Sequence, residues 1–148
     1  MRILIVEDDT LVSRMYDKVF GFEGFEVTVV DNGVDGLKTA KTLAPDLILL
    51  DVMMPKMNGL DVLDALKQDV STKDIPVVML TNLSGTQDAQ TAIQKGALEY
   101  LIKSQYKPRD VVEKIKQILS NREASAQSQA QAPPTSSTQQ NKSQDDTN

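Results

Sequence analysis

Four short apolar segments of the chain are each followed by a polar residue of a type that phosphoryl chemistry uses. The four junctions read Val6-Glu7-Asp8, Leu50-Asp51, Leu80-Thr81 and Ile102-Lys103. Unbroken runs of branched apolar residues are typical of strands that are buried on both faces of a parallel sheet. Parallel strands end at one edge of their sheet, where ligands of open α/β sheets bind. We therefore expect the acids, the hydroxyl and the amine to converge.

Three of these residues are carboxylates, Glu7, Asp8 and Asp51. Two like charges about 4 Å apart repel by on the order of 4 kcal/mol at an effective dielectric near 20, so a cation is needed to balance them. An all-oxygen set of ligands favours Mg²⁺ and argues against zinc. A lysine and a threonine can bind phosphoryl oxygens, and a carboxylate can itself accept a phosphoryl group.

The elements that must position these residues alternate between strand and helix, which predicts an α/β fold. Strands are predicted near residues 2–7, 26–30, 47–50, 77–80 and 98–102, each followed by a helix, and the fifth helix begins at Pro108. Right-handed crossovers and the commonest arrangement of such units predict a flavodoxin-like, doubly wound parallel sheet with strand order 2-1-3-4-5. The switch point then falls between Glu7-Asp8 and Asp51.

The first helix carries more apolar residues than one face needs. Leu11, Val12 and Met15 have the spacing either of a core stripe or of a surface that docks a partner helix. Core packing is the commoner outcome for this spacing and is the prediction adopted.

Composition narrows the class of protein. The chain has 148 residues, no Cys, no His and a net charge of −5. The absence of Cys and His removes thiolate and imidazole chemistry. The net negative charge does not indicate a basic surface that would bind nucleic acid directly in this segment. The apolar run at the N-terminus is too short for a signal peptide or a membrane span. A cytoplasmic location is therefore expected.

The end of the chain differs from the rest. From Ser120 onward there is no Val, Ile, Leu, Met, Phe or Tyr, and Gln, Ser, Ala, Thr and Pro predominate. Such a segment cannot bury enough apolar surface to offset the entropy of ordering. The prediction is a domain over residues 1–123 and a disordered Gln/Ser-rich tail or linker over residues 124–148.

Four motifs together resemble a known family. They are Val6-Glu7-Asp8-Asp9, Leu50-Asp51-Val52-Met53-Met54-Pro55-Lys56-Met57-Asn58-Gly59, Leu80-Thr81-Asn82 and Tyr100-Leu101-Ile102-Lys103. Over about residues 1–121 the chain resembles the receiver domain of two-component response regulators, the chemotaxis receivers among them. The resemblance implies a signalling switch rather than a metabolic enzyme, although a receiver catalyses its own phosphorylation and dephosphorylation.

The resemblance assigns roles to the residues at the predicted sheet edge. Asp51 is implied as the phosphoacceptor. Mg²⁺ is implied as the cofactor, with Asp8, Asp51 and the backbone carbonyl of Met53 as ligands and Glu7 assisting directly or through water.

Further roles concern the response to phosphorylation. Lys103 is implied to bind the phosphoryl group, Thr81 to be the switch hydroxyl, and Tyr100 to be an aromatic residue that turns inward when Thr81 moves. Met53 and Leu83 lie at the positions where family members tune hydrolysis. Because both are apolar here, we expect a long-lived phosphoryl group.

The implied partners follow from the same resemblance. The phosphodonor is a phosphohistidine on a sensor histidine kinase or a phosphotransfer protein. The output is a protein or domain bound at the face of the fourth helix, fifth strand and fifth helix, around Lys95, Glu99 and Tyr100, with a phosphorylation-dependent dimer as one form of response. Either the chain acts alone, or it is the receiver part of a longer regulator, for example one with a DNA-binding output.

Two other classes of function stay open at this point. A hydrolase with an aspartyl-phosphate intermediate would need a second Asp two residues after Asp51, where Met53 stands. A nucleotide- or flavin-binding module would need a Gly-rich first loop, whereas Glu7-Asp8-Asp9-Thr10 repels phosphates.

Two positions depart from the commonest pattern of the resembling family. Ser104 follows Lys103 where Pro with a cis bond is usual, so we expect no cis-proline there and a more mobile loop. Asn82 stands where a small Ala is common, and we expect it to narrow access to the phosphoryl group.

Overall fold

The computed structural model describes the backbone of residues 1–138 and the side chains of residues 1–124. In chain order the elements are β1 (Arg2–Val6), α1 (Thr10–Phe22), β2 (Glu26–Val30), α2 (Gly33–Leu43), β3 (Leu47–Leu50), α3 (Gly59–Gln68), β4 (Val77–Thr81), α4 (Thr86–Gln94), β5 (Glu99–Ile102), a short 3₁₀ turn (Lys103–Gln105) and α5 (Pro108–Thr138). The predicted alternation of strands and helices is confirmed.

The five strands form one parallel sheet with the order β2-β1-β3-β4-β5, as predicted. Val6 of β1 pairs with Leu50 of β3. Thr81 at the end of β4 pairs with Ile102 at the end of β5. The register therefore brings the residues that follow β1, β3 and β5 to the same edge of the sheet, and it is the physical reason why the four polar junctions converge.

Local side-chain chemistry begins and ends the helices. The side chain of Asp9 accepts hydrogen bonds from two backbone N–H groups at the start of α1, and Asn58 caps α3 in the same way. Gly24 follows α1 and Gly96 follows α4, and both have a positive φ, of 93° and 109°. Residues with a Cβ rarely adopt this conformation, so these glycines allow the chain to turn into the next strand.

The prediction that Leu11 and Met15 pack in the core is wrong. The structure buries Ser13, Tyr16 and Phe20 of α1, whereas Leu11 is 78% exposed and Met15 is 41% exposed. The ring of Phe20 packs edge-on against Phe25, with ring centroids 5.4 Å apart. Two adjacent apolar rows run along α1, and the helix turns the row with the large aromatic residues towards the sheet because that row buries more area.

The last helix includes residue 123, where the predicted domain ends, and the domain boundary itself stays a prediction. The compact unit Met1–Val112 holds the whole sheet, and a second unit begins at Glu113, within α5. Helix α5 runs past residue 123 to Thr138. The prediction considered only the lack of apolar residues, but Ala and Gln also favour a helix by intrinsic propensity. Disorder of the tail stays a prediction, and residues 139–148 lie outside the described residues. No described helix has the length and apolar character that crossing a membrane requires.

Ala44, which ends α2, has the left-handed conformation, with φ 48° and ψ 61°. A Cβ makes this conformation unfavourable, and Ala44 is exposed, so its replacement loses no packing. Ala44→Gly is expected to raise the free energy of unfolding by about 0.5–1 kcal/mol in urea denaturation. As a control, Lys38→Gly in the exposed middle of the same helix is expected to lower it by a similar amount. Equal effects of the two substitutions would contradict the explanation.

Candidate functional site

Three carboxylates meet at the carboxyl edge of the sheet. Glu7, Asp8 and Asp51 each present one carboxylate oxygen, and these three oxygens lie within 4.8 Å of one another. Glu7 and Asp51 are buried, whereas Asp8 is exposed. The pairing of β1 with β3 places Asp51 beside Glu7, because each follows the last paired residue of its strand. The predicted convergence of the acids is confirmed.

Lys103 lies among these carboxylates. Its ammonium donates one hydrogen bond to Oε1 of Glu7 and another, of 3.2 Å, to Oδ2 of Asp51. Burial by itself lowers the pKa of Lys103, but the hydrogen bond to Glu7 and the charge of Asp51 outweigh it, so the pKa lies above the ordinary value for lysine. Lys103 is therefore charged at neutral pH and balances part of the negative charge.

Burial and hydrogen bonding act in opposite directions on the pKa of the Glu7 carboxylate. Burial raises the pKa of Glu7, while the hydrogen bonds from Lys103 and from the backbone N–H of Asp9 lower it, and the net result is a raised pKa. The N–H of Asp9 donates to Oε2 at 3.1 Å, so each oxygen of Glu7 accepts one hydrogen bond. Both oxygens of Glu7 are thus held by hydrogen bonds beside Asp51.

The loop between β3 and α3 folds tightly over Asp51. The N–H of Met53 donates to Oδ1 of Asp51 at 3.2 Å. The N–H of Gly59 donates to the carbonyl of Val52 at 2.8 Å, and a Cβ on Gly59 would lie only 2.0 Å from the carbonyl oxygen of Asp51. Gly59 therefore allows the close approach that fixes the backbone of Asp51. Sequence reasoning identified Gly59 only as part of a motif and did not find this steric reason.

The two predicted switch residues, Thr81 and Tyr100, both form hydrogen bonds with the backbone of Leu83. Thr81 is fully buried, and its hydroxyl accepts a hydrogen bond of 3.2 Å from the N–H of Leu83. The hydroxyl of Tyr100 donates to the carbonyl of Leu83 at 2.7 Å. The backbone of Leu83 is thus held from both sides, and these two hydrogen bonds connect Thr81 with Tyr100 through the loop that precedes α4. Sequence reasoning did not find this connection.

The donor set fits a hard divalent cation. All three clustered side chains offer oxygen, and Asp8 is exposed, so a hydrated ion has access from solvent. Carboxylate oxygens with retained water are the usual environment of Mg²⁺ in proteins. Whether the carbonyl of Met53 joins this set stays a prediction.

Comparison with known proteins decides the family. The sequence profile described as the response regulator receiver domain matches residues 3–116 of the chain. The chain belongs to the response regulator receiver family. This membership decides against the hydrolase and nucleotide-binding alternatives.

Individual relatives of this receiver agree with the family match. The DNA-binding response regulator MtrA of Mycobacterium tuberculosis is 38% identical over 115 residues, which cover 78% of the receiver chain and 49% of MtrA. A CheY-like receiver domain protein from Methanospirillum hungatei has a TM-score of 0.78 at 30% identity, covering 84% of this chain and 97% of that one. The Mn²⁺-bound form of the response regulator Rcp1 has a TM-score of 0.66 at 30% identity, covering 80% and 91% of the two chains. The receiver spans about half the length of the curated relatives it matches.

The two departures from the family pattern have visible local structure in this receiver. Lys103 and Ser104 begin a 3₁₀ turn, Lys103–Gln105, and the described part of the chain contains no cis peptide bond. Asn82 is exposed beside the buried Thr81. The expected mobility of the loop that follows Lys103 stays a prediction. The expected narrowing of access to the phosphoryl group by Asn82 also stays a prediction.

Proposed function

We propose that this response regulator receiver accepts a phosphoryl group on Asp51 from a phosphohistidine of a sensor histidine kinase or phosphotransfer protein. The observation that carries the proposal is the contact of the Lys103 ammonium with both Glu7 and Asp51 inside the cluster of carboxylates. A carboxylate oxygen of Asp51 forms the new bond to phosphorus, and the bond from phosphorus to the donor nitrogen breaks. The donor imidazole, protonated at its other ring nitrogen, leaves with the electron pair as neutral imidazole.

Each side chain has a separate task in this step. The Lys103 ammonium pairs with an oxygen of the incoming phosphoryl group, and the Thr81 hydroxyl donates to another. Asp8, Asp51 and the Met53 carbonyl would hold Mg²⁺, with Glu7 assisting. When bound, Mg²⁺ neutralises charge on the phosphoryl oxygens. The Mn²⁺-bound form of the related Rcp1 supports a divalent cation in this receiver.

The signal is a shift between two conformations. A near-complete switch needs about 5.5 kcal/mol of difference in interaction free energy, and a hydrogen bond to a charged group contributes about 1.5–3 kcal/mol. The new hydrogen bonds of Thr81 and Lys103 with the phosphoryl group therefore contribute an interaction free energy of the size that the switch needs. When the Thr81 hydroxyl turns to the phosphoryl group, the N–H of Leu83 loses its partner, and the loop that holds Tyr100 rearranges.

The output is reached through protein contacts. We propose that this receiver acts in the cytoplasm through its fourth helix, fifth strand and fifth helix, on an output protein or domain. The alternative is that the chain is the receiver part of a longer regulator with, for example, a DNA-binding output, and the match to 49% of the DNA-binding regulator MtrA is consistent with it. A phosphorylation-dependent dimer is one form of this response.

A direct test uses a small acyl phosphate as donor. Wild-type protein incubated with acetyl phosphate and Mg²⁺ is expected to gain one phosphoryl group by intact mass, and Asp51→Asn is expected to gain none because the acceptor oxygen has been replaced. Asp17→Asn, an exposed change on α1, serves as the control and is expected to match wild type. A phosphoryl adduct on Asp51→Asn, or none on wild type even with a phosphohistidine protein as donor, overturns the proposal.

A further inference from the structure

Methionine is concentrated in the loop that folds over Asp51. Three of the six methionines, Met53, Met54 and Met57, lie between β3 and α3. Met53 is 59% exposed, whereas Met54 is buried and Met57 is half-buried. The chain has no Cys, no Trp and no His, so the methionine sulfurs are the atoms that mild oxidants attack most readily. Within this loop, exposure directs such attack to Met53.

The backbone fixes Met53 beside the acceptor carboxylate. The N–H of Met53 donates to Oδ1 of Asp51 at 3.2 Å. The hydrogen bond of 2.8 Å from the N–H of Gly59 to the carbonyl of Val52 holds the same turn closed. The side chain of Met53 therefore leaves the backbone next to the Asp51 carboxylate and is open to solvent. A polar atom at this place meets the water that reaches a phosphoryl group on Asp51.

Oxidation of Met53 by a hydroperoxide supplies such a polar atom. A lone pair of the sulfur attacks the terminal oxygen of the hydroperoxide, the O–O bond breaks, and the proton passes to the leaving oxygen. With hydrogen peroxide the products are water and a sulfoxide, the sulfur having lost two electrons. The sulfoxide is polar where the thioether is apolar, and a dithiol reductant reverses the change with formation of a disulfide and water.

We propose that Met53 is a reversible oxidation site through which a hydroperoxide shortens the lifetime of the phosphoryl group on Asp51. The inference rests on the proposed function. In the reduced protein, the thioether offers attacking water only a weak acceptor. In the oxidised protein, the sulfoxide oxygen accepts a hydrogen bond from a water molecule and holds it beside the phosphorus. The water oxygen bonds to phosphorus and loses a proton to solvent, and the bond from phosphorus to Asp51 breaks, leaving a carboxylate and inorganic phosphate.

The test oxidises the protein before it is phosphorylated. The whole chain is treated with dilute hydrogen peroxide, the peroxide is removed, and peptide mass spectrometry identifies the methionines that have gained one oxygen atom. Met53 is expected to be oxidised to a greater extent than the buried Met54 and Met79.

The lifetime of the phosphoryl group is then compared with and without oxidation. After phosphorylation by acetyl phosphate with Mg²⁺ and removal of the donor, the oxidised protein is expected to lose its phosphoryl group about fivefold faster than the untreated protein. Reduction with methionine sulfoxide reductase and a dithiol is expected to restore the slower loss.

Two variants assign the effect to one sulfur. Met53→Leu keeps the size of the side chain without the thioether. Its rate of phosphoryl loss, compared with and without peroxide, is expected to change by less than about twofold. Met15→Leu removes an exposed methionine on α1 and is expected to keep the response of about fivefold.

Four results overturn this inference alone, because the untreated protein is phosphorylated in each of them. They are a Met53 that stays reduced while Met15 is oxidised, a Met53 sulfoxide that leaves the rate unchanged, an equal response in Met53→Leu, and an oxidised protein that no longer accepts the phosphoryl group. Failure of the untreated protein to accept a phosphoryl group from acetyl phosphate or from a phosphohistidine protein overturns both the inference and the proposed function.

Discussion

Replacement of Lys103 by Met is expected to have opposite effects on the two ligands of the acidic cluster. Phosphorylation of Asp51 by acetyl phosphate is expected to slow by on the order of 10- to 100-fold, because a charged hydrogen bond to the phosphoryl group contributes about 1.5–3 kcal/mol. Binding of Mg²⁺ is expected to become tighter, because Lys103 is the positive charge that contacts both Glu7 and Asp51. Both quantities are measurable, the first by intact mass over time and the second by calorimetric titration.

The opposite signs separate a specific role of Lys103 from general damage to the fold. Lys107→Met is the matched control, because Lys107 is exposed and the substitution changes the net charge by the same amount. This control is expected to leave both quantities within about twofold of wild type. If Lys103→Met weakened Mg²⁺ binding as well, the ammonium would not be competing with the metal for the carboxylates, and the arrangement proposed here would be wrong.

The double substitution Met53→Asn with Leu83→Glu is expected to shorten the lifetime of the phosphoryl group by on the order of 10- to 100-fold. The Met53 side chain is 59% exposed, and its N–H donates to Asp51. Leu83 is held by the Thr81 hydroxyl in the same way. Neither side chain holds a water molecule for in-line attack, whereas an amide and a carboxylate at these positions do. Loss of the adduct by intact mass after removal of the donor measures the lifetime.

A control distinguishes water positioning from a simple gain in polarity. Val70→Asn makes the same kind of change at an exposed residue beyond the C-terminal end of α3, and it is expected to leave the lifetime within about twofold of wild type. Rapid dephosphorylation of the wild type, unchanged in the double variant, would falsify the role of Met53 and Leu83 as residues that slow hydrolysis.

Most of the fold was predictable because its signals are local. Apolar runs of strand length, residues that cap helices and glycines that follow them indicated each element, apart from the end of α5, within a few residues of its observed bounds. The strand order followed from the handedness of crossovers together with the commonest arrangement of such units, neither of which depends on particular side chains. The tail was harder to predict, since helix propensity and the lack of a buried face favour different outcomes, and residue 123 lies inside α5 rather than at its end.

The exposure of the α1 side chains was not predictable for a different reason. Leu11 and Met15 are as apolar as many core residues, and their spacing suits a buried stripe. Which stripe of an amphipathic helix faces the sheet depends on the competing stripe, here Tyr16 and Phe20, and on partners outside the helix such as Phe25. Because the row with Tyr16 and Phe20 faces the sheet, Leu11 and Met15 lie on the exposed surface of α1, the helix that begins after Asp8 and Asp9.

The sequence by itself determined which groups are present at the candidate site, because each one directly follows an apolar strand and parallel strands end together. Only the tertiary structure decided how those groups contact one another. The bonds from Lys103 to Glu7 and Asp51 join residues 96 and 52 positions apart, and the bond from Tyr100 to Leu83 joins residues 17 apart. Side-chain contacts over such separations depend on register, helix rotation and loop path together, and no local pattern encodes all three.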